Sequence, residues 1–312
     1  MPAVPSDRLH RGLFAIPVTP FDEQLRLDEP SLHRVLQFCV EAGAHGIVTP
    51  VNASEFTTLT FEERRLIARV AVQEAGGKIP VVIGVCDKTP EQALRLARDA
   101  AEAGADAVIA MPPYEPHLDM DGIARFYAAL AEAAGIPVYI QNHEGPVGTP
   151  MNAEFVAKLC REIPLVQYVK EESLGTGAKI IRVLELAGAA CKGIMGGRAG
   201  RYLLDEYRRG ACGTMPACEI ADVHAQLWNL LDAGRHREAR DLHREMLPLL
   251  NYEAAFGVAV YKDVLWRRGI IRTPNRRLPG LTLDDYDRQE LDAILDDLAP
   301  RFTIKTPWKR VS

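Results

Sequence analysis

Two eight-residue stretches of the 312-residue chain are near copies of each other, EAGAHGIV at 41–48 and EAGADAVI at 102–109. Each reads as the end of an amphipathic helix, a glycine stop and the start of an apolar strand. A looser third copy, AAGIPVYI, falls at 133–140. A segment that closes a helix on glycine and at once opens a buried strand is the joint of a βα repeat. Its recurrence constrains the fold more than any other feature of the chain.

Eight short apolar runs lie between residues 13 and 215: LFAIPV (13–18), GIVTPV (46–51), PVVIGV (80–85), AVIAM (107–111), PVYIQN (137–142), LVQYVK (165–170), CKGIM (191–195) and ACGTM (211–215). Most are apolar on both faces, as parallel strands buried on both sides are. Helical periodicity fills the gaps, most clearly in SLHRVLQFCVEAG and TPEQALRLARDAAEAG. The second opens with Thr89 as a cap and Pro90 at the first helical position, and the two end on Gly43 and Gly104. Eight strands, each followed by a helix or a helix-capable segment, predict a (β/α)8 TIM barrel, here over residues 8–234. Beyond it HREARDLHREMLPLL, EAAFGVAVYKDVLWRRG and LDDYDRQELDAILDDLA are purely helical, which predicts a C-terminal helical extension over 235–300 packed on the barrel. An open doubly wound sheet is the competing arrangement, but its glycine-rich fingerprint after the first strand is missing.

Composition narrows the function. A chain with 47% hydrophobic and 25% charged residues can bury a sizeable core without metals or disulfides. A net charge of −5 with no block of like charge argues against a nucleic-acid partner. No run approaches the roughly 18 apolar residues of a membrane span. The opening MPAVPSDRLHRG lacks the apolar stretch of a signal peptide. A cytoplasmic protein with no membrane contact is expected. None of the six cysteines, Cys39, Cys86, Cys160, Cys191, Cys212 and Cys218, forms a CxxC pair, and buried free thiols are expected. His33, His236 and His243 sit in charge-rich helical stretches and are expected to face solvent. HExxH, Walker A and a GxGxxG after a strand are absent, and the histidines show no metal spacing. No metal is expected.

The stretch LVQYVKEES (165–173) ends an apolar strand on a lysine. The chain carries nine lysines against twenty-eight arginines, and Lys170 alone terminates such a strand. Either the run simply ends with Lys170 in water, or the amine sits at the barrel mouth, where these folds keep their active sites. A lysine desolvated there loses proton affinity and can attack a ketone to form a Schiff base.

AIPVTPFDEQLRLD at the first strand, IAMPPY at the fourth, YVKEES at the sixth and GIMGG at the seventh resemble the dihydrodipicolinate synthase / N-acetylneuraminate lyase family. These are class I Schiff-base lyases of 2-oxo acids. The resemblance runs from Gly12 through the helical extension. It implies a barrel with C-terminal helices, usually a homotetramer, a small 2-oxo acid as substrate, and Lys170 as the Schiff-base residue.

The departures bear on the substrate. After the second strand the family carries a run of hydroxyls that hold the substrate carboxylate; here it reads VNASE, Val51 to Glu55. After the fifth strand the family has a proton-relaying tyrosine; here the position is Gln141, followed by Asn142. Tyr114 is followed by Glu115 where a second tyrosine is common. VNASEF, AMPPY, IQN and VKEES together resemble a sugar-acid dehydratase branch, that of the L-2-keto-3-deoxyarabonate dehydratases, and Glu172 matches its glutamate two residues beyond the lysine. The resemblance implies dehydration of a 2-keto-3-deoxypentonate to 2,5-dioxopentanoate with no cofactor. Glu172 is then the proton-transfer residue. Asn52, Ser54, Tyr114, Gln141, Gly196 and Gly197 are the substrate-binding candidates.

Each candidate has a plainer role open to it. Adjacent glutamates on a strand face opposite ways, so only one of Glu171 and Glu172 points into the barrel. Glu55 suits a salt bridge better than catalysis. Asn52 and Ser54 suit helix caps. Gln141 suits a strand-end hydrogen bond, and Tyr114 a wedge in its loop. Gly196 and Gly197 suit a turn. A pyruvate-dependent aldolase and a barrel that only binds a small ligand are the alternative functions.

Overall fold

Each of the eight apolar runs falls on a strand: β1 (Gly12–Ala15), β2 (Gly46–Thr49), β3 (Val81–Gly84), β4 (Ala107–Ala110), β5 (Val138–Asn142), β6 (Val166–Glu171), β7 (Gly193–Gly196) and β8 (Gly213–Thr214). All pair in parallel, in chain order, and β1 closes the ring by pairing with β8, Gly12 beside Gly213. The computed structural model describes residues 10–305 except 116 and 146, together with 309 and 310. Residue 8, the expected start of the barrel, and most of the N-terminal stretch lie outside the described residues.

Alternation sorts the strand side chains into two layers. Phe14, Val48, Val82, Ile109, Tyr139, Tyr168 and Met195 fill the barrel interior. Leu13, Ile47, Val81, Val108, Val138 and Val169 face the surrounding helices. Tyr139 and Tyr168 stack at 4.7 Å, and the His10 Nδ1 lies 2.7 Å from the Tyr139 hydroxyl. This aromatic layer plugs the end where the strands begin, leaving the opposite end open. Burial, with the charge of Lys192, pushes the His10 imidazole down to about 4.

The helices start where their caps stand. α1 (Glu29–Glu41) is capped by Asp28, and α2 (Phe61–Ala75) by a reciprocal box between Thr60 and Glu63. Thr89 and Pro90 open α3 (Pro90–Glu102) as read from the sequence. Gly43 and Gly104 follow α1 and α3 at φ +79° and +89°, conformations that suit glycine. α4 (Met120–Ala134), α5 (Ala153–Glu162), α6 (Thr176–Ala187), α7 (Leu203–Arg208) and α8 (Ala221–Asp232) complete the ring.

Past the barrel run α9 (His236–Phe256), α10 (Val258–Arg267) and α11 (Asp285–Leu298), which share a core with α7 and α8. The second and third helices of the extension divide differently from the sequence reading. α9 continues through Pro248, because its buried face from Ala239 to Leu250 is unbroken. The break comes instead at Gly257, whose φ of +53° and ψ of −123° suit glycine. The extension is bolted to α8 by Arg268, which donates to both carboxylate oxygens of Asp222 at 2.9 and 2.8 Å.

His243 does not face solvent. It lies on the buried face of α9 with Nε2 3.2 Å from the Gly200 carbonyl. His33 is half-buried against Glu74, and His236 is exposed. The cysteines are free thiols, all buried except the half-buried Cys212. No described helix is long and apolar enough to cross a membrane.

Candidate active site

Strand parity decides what stands at the open end of the barrel. Tyr168 points inward, so Lys170 does also, and Glu171 points to the helix side. The ladder runs one residue past the strand, with the Glu172 amide donating to the Asn142 carbonyl at 2.9 Å. Glu172 therefore turns inward over Lys170. The Lys170 Nζ lies 3.1 Å from Glu172 Oε2, both side chains nearly fully buried. Gln141, beside Lys170 in the register, donates to the same oxygen at 2.9 Å. His143 brings its Nδ1 to 3.8 Å from it.

Burial alone would raise the Glu172 carboxyl. The Lys170 ammonium, His143 and the Gln141 hydrogen bond outweigh it and hold the group below the usual carboxylate range. The resting site thus contains a carboxylate. Glu171, on the other face, accepts from Asn142 Nδ2 at 2.7 Å and from the Ser173 amide at 2.9 Å. Burial pushes its carboxyl up, against those hydrogen bonds.

Gly196, the last residue of β7, and Gly197 just beyond it make room for carboxylates. A Cβ on Gly197 would lie 2.3 Å from Glu172 Oε1, and one on Gly196 would lie 1.9 Å from Glu206 Oε2, on the opposite face. Burial, with Glu172 and Asp205 nearby, pushes Glu206 up to about 8. The turn after Gly197 holds two non-glycine residues at positive φ, Arg198 and Ala199. Arg198 Nε donates to the Glu172 carbonyl at 2.9 Å, fixing that turn to the end of β6.

A cavity of about 460 Å³ opens over this group. Asn52, His143, Lys170, Glu172 and Arg198 line it from the barrel, and Tyr261 and the 276–281 loop line it from the extension. The other candidates lie elsewhere. Ser54 is buried, its hydroxyl donating to the Pro17 carbonyl at 2.6 Å. Tyr114 is half-buried in its own loop, bridged to His117. Glu55 is fully buried in an ion pair with Lys262 of α10 and accepts from the Arg277 and Leu278 amides at 2.8 and 2.6 Å. It fastens the extension over the barrel mouth. Among the described residues no group of three or more His, Cys, Asp or Glu side chains could hold a metal ion.

An amine and a carboxylate packed together at the strand ends of such a barrel form a known kind of site, and the comparison with protein families agrees. The model of the dihydrodipicolinate synthetase family matches residues 9–298. The chain belongs to the dihydrodipicolinate synthetase family. It is by that membership an enzyme of the Schiff-base lyase type acting on a small molecule. Among the relatives, an L-2-keto-3-deoxyarabonate dehydratase of Azospirillum brasilense is 30% identical over 295 residues, covering 93% of this chain and 95% of the relative. A 4-hydroxy-tetrahydrodipicolinate synthase of Chlorobium limicola is 33% identical over 297 residues, covering 94% and 99%. The solved dihydrodipicolinate synthase of Rhodopseudomonas palustris superposes with a TM-score of 0.85 at 28% identity, covering 92% and 97%. Identity does not choose between dehydratase and synthase. The side chains in the cavity must.

Three of those side chains escaped the sequence reading. His143 follows the IQN stretch, one residue past the last one that drew notice. Arg198 follows the glycine pair. Tyr261 lies in a helix that reads as ordinary packing, and nothing in its periodicity marks it.

Proposed function

We propose that the protein is a Schiff-base hydro-lyase of 2-keto-3-deoxy sugar acids, and that Lys170 and Glu172 do its chemistry. One observation carries this reading: Gln141 and Lys170 both donate to Glu172 Oε2. The amide sits where an aldolase of this family needs a phenol, and an amide cannot take a proton from a C4 hydroxyl. A carboxylate beside the lysine nitrogen is instead well aimed at the carbon next to an imine.

The steps follow. The Lys170 ammonium gives up a proton, its nitrogen adds to the C2 ketone, and that proton leaves with the ketone oxygen in water, giving an iminium. Glu172 removes a C3 proton and the electron pair forms an enamine. The enamine expels the C4 hydroxyl, which departs as water once protonated. A pentonate then tautomerises and hydrolyses to 2,5-dioxopentanoate, freeing Lys170. Asn52, in the cavity wall, is placed to hold the substrate carboxylate.

Carbon–carbon cleavage is the competing reading, and Tyr261 favours it. This phenol lines the same cavity. A panel of 2-keto-3-deoxy acids, scored for water loss against pyruvate release, separates the two. We expect 2,5-dioxopentanoate from a pentonate. Pyruvate and a two-carbon aldehyde as main products would replace the dehydratase reading with the aldolase one.

A further inference from the structure

Water loss needs an acid at C4 as well as a base at C3, and the resting Glu172 is a carboxylate. Only after taking the C3 proton does it have one to give. Its Oε2 is already engaged by Lys170 and Gln141 over the C2–C3 side. His143 stands next to it. The imidazole is half-buried in the cavity wall, and its Nδ1 is buried with no hydrogen-bond partner among the described residues. The 3.8 Å to Glu172 Oε2 is too long for a hydrogen bond and short enough to close by a small rotation. The ring's other nitrogen packs toward Gly145, where a Cβ would come within 2.7 Å of it. Nδ1 is thus the nitrogen turned to the carboxylate. Burial lowers the imidazole below its ordinary range, although Glu172 opposes this, so a lone pair is available on the resting ring.

We propose that His143 is a further catalytic residue, the relay that carries the proton taken by Glu172 from C3 to the departing C4 oxygen. The inference rests on the dehydratase reading and sharpens it. Glu172 breaks the C3–H bond and is protonated. Nδ1 takes that proton from Oε2, which restores the carboxylate and leaves an imidazolium. The imidazolium gives the same proton to the C4 oxygen as the C4–O bond breaks and the enamine electrons move into the new double bond. Water leaves, and His143 and Glu172 end as they began.

The test uses the full-length enzyme and separates the two proton transfers. Exchange of the pyruvate methyl protons in D2O reports Lys170 and Glu172 without any leaving group. Release of 2,5-dioxopentanoate from a 2-keto-3-deoxypentonate reports the whole sequence. His143→Gln and His143→Asn should keep borohydride-trapped imine and methyl exchange within a few-fold of the parent, while water loss falls by ~10²–10⁴-fold, the usual worth of a general acid. Glu172→Gln should lose both exchange and water loss. If the His143 variants lose exchange and water loss in equal measure, the histidine is only a support for Glu172 and the relay is wrong. If they lose neither, another group protonates C4 and the relay is equally wrong. Should the parent enzyme release pyruvate instead of water, the dehydratase reading fails first, and the relay falls with it.

Discussion

Lys170, Gln141 and His143 converge on one oxygen of Glu172, so each substitution there stops the chemistry at a different point. Lys170→Arg should abolish the mass gained on borohydride trapping with pyruvate. An adduct carried by Lys179 or Lys192 instead would overturn the assignment. Lys179 bonds the Ser173 hydroxyl on the far side of Glu171, well placed for structure rather than for substrate. Glu172→Gln should lower kcat by ~10²–10⁴-fold while trapping persists. Glu171→Gln should cost only a few-fold, since that carboxyl faces Asn142 and Ser173 behind the strand. The reverse ranking would mean that β6 faces the other way. Much of this was legible in the sequence, because strand parity alone puts Lys170 and Glu172 on one face. What parity could not supply was the neighbours. His143 and Arg198 come from loops whose path depends on the folded barrel. Ser54 looks like a ligand in the chain, but its hydroxyl is spent on the Pro17 carbonyl.

At the scale of elements, β7 separates two carboxylates that cannot both be solvated. Gly196 at its end admits Glu206 on the outer face, and Gly197 just beyond it admits Glu172 on the inner one. A methyl at Gly197 would collide with Glu172 Oε1, Cγ and Cδ and must displace that side chain from its place beside Lys170. Because the displaced atoms end a side chain rather than a backbone, Gly197→Ala should leave the thermal midpoint nearly unchanged. Its activity should fall by about 10²-fold, as misplacement of a reacting group by about 1 Å does. A fully active Gly197→Ala enzyme would show that Glu172 need not sit where it does. The strands themselves were legible as apolar runs with glycine-stopped helices before them. Their ends were not: β1 stops at Ala15, although the apolar run goes on to Val18, and past it only Ile16 still bridges, to Ala217. The Gly257 break was hidden for a related reason. Apolar periodicity continues across it, and a single glycine inside a helical pattern does not announce a change of direction.

Over the whole molecule, buried charge and buried histidine hold the barrel and its extension together, and both make stability depend on pH. The fastening across the mouth is the Glu55–Lys262 pair, both side chains fully buried. Lys262→Met would strand the Glu55 carboxylate and should cost ~3–5 kcal/mol, the usual result of removing one partner from a buried pair. The histidines act more gradually. His10 stacks under the barrel floor, and burial pushes it down to about 4. His224 of α8 lies 3.0 Å from the Ala199 carbonyl through Nε2, which holds the strained turn beside the site, and burial pushes it also down to about 4. In the unfolded chain both titrate near the ordinary imidazole value of 6.5. The unfolded state therefore binds protons first as the solution is acidified. The stability contributed by each neutral ring is fully present above about pH 6.5 and is lost as pH falls from there to about 4, ~3 kcal/mol per histidine over the window. Other groups titrate in the same range, so the informative quantity is a difference. Urea unfolding at pH 7.5 and at pH 5 should show the parent losing ~2 kcal/mol more over that interval than His224→Gln, whose side chain carries no proton to gain. Equal losses would mean that His224 takes up its proton in the fold at the same pH as in the unfolded chain, so that burial does not hold the ring neutral.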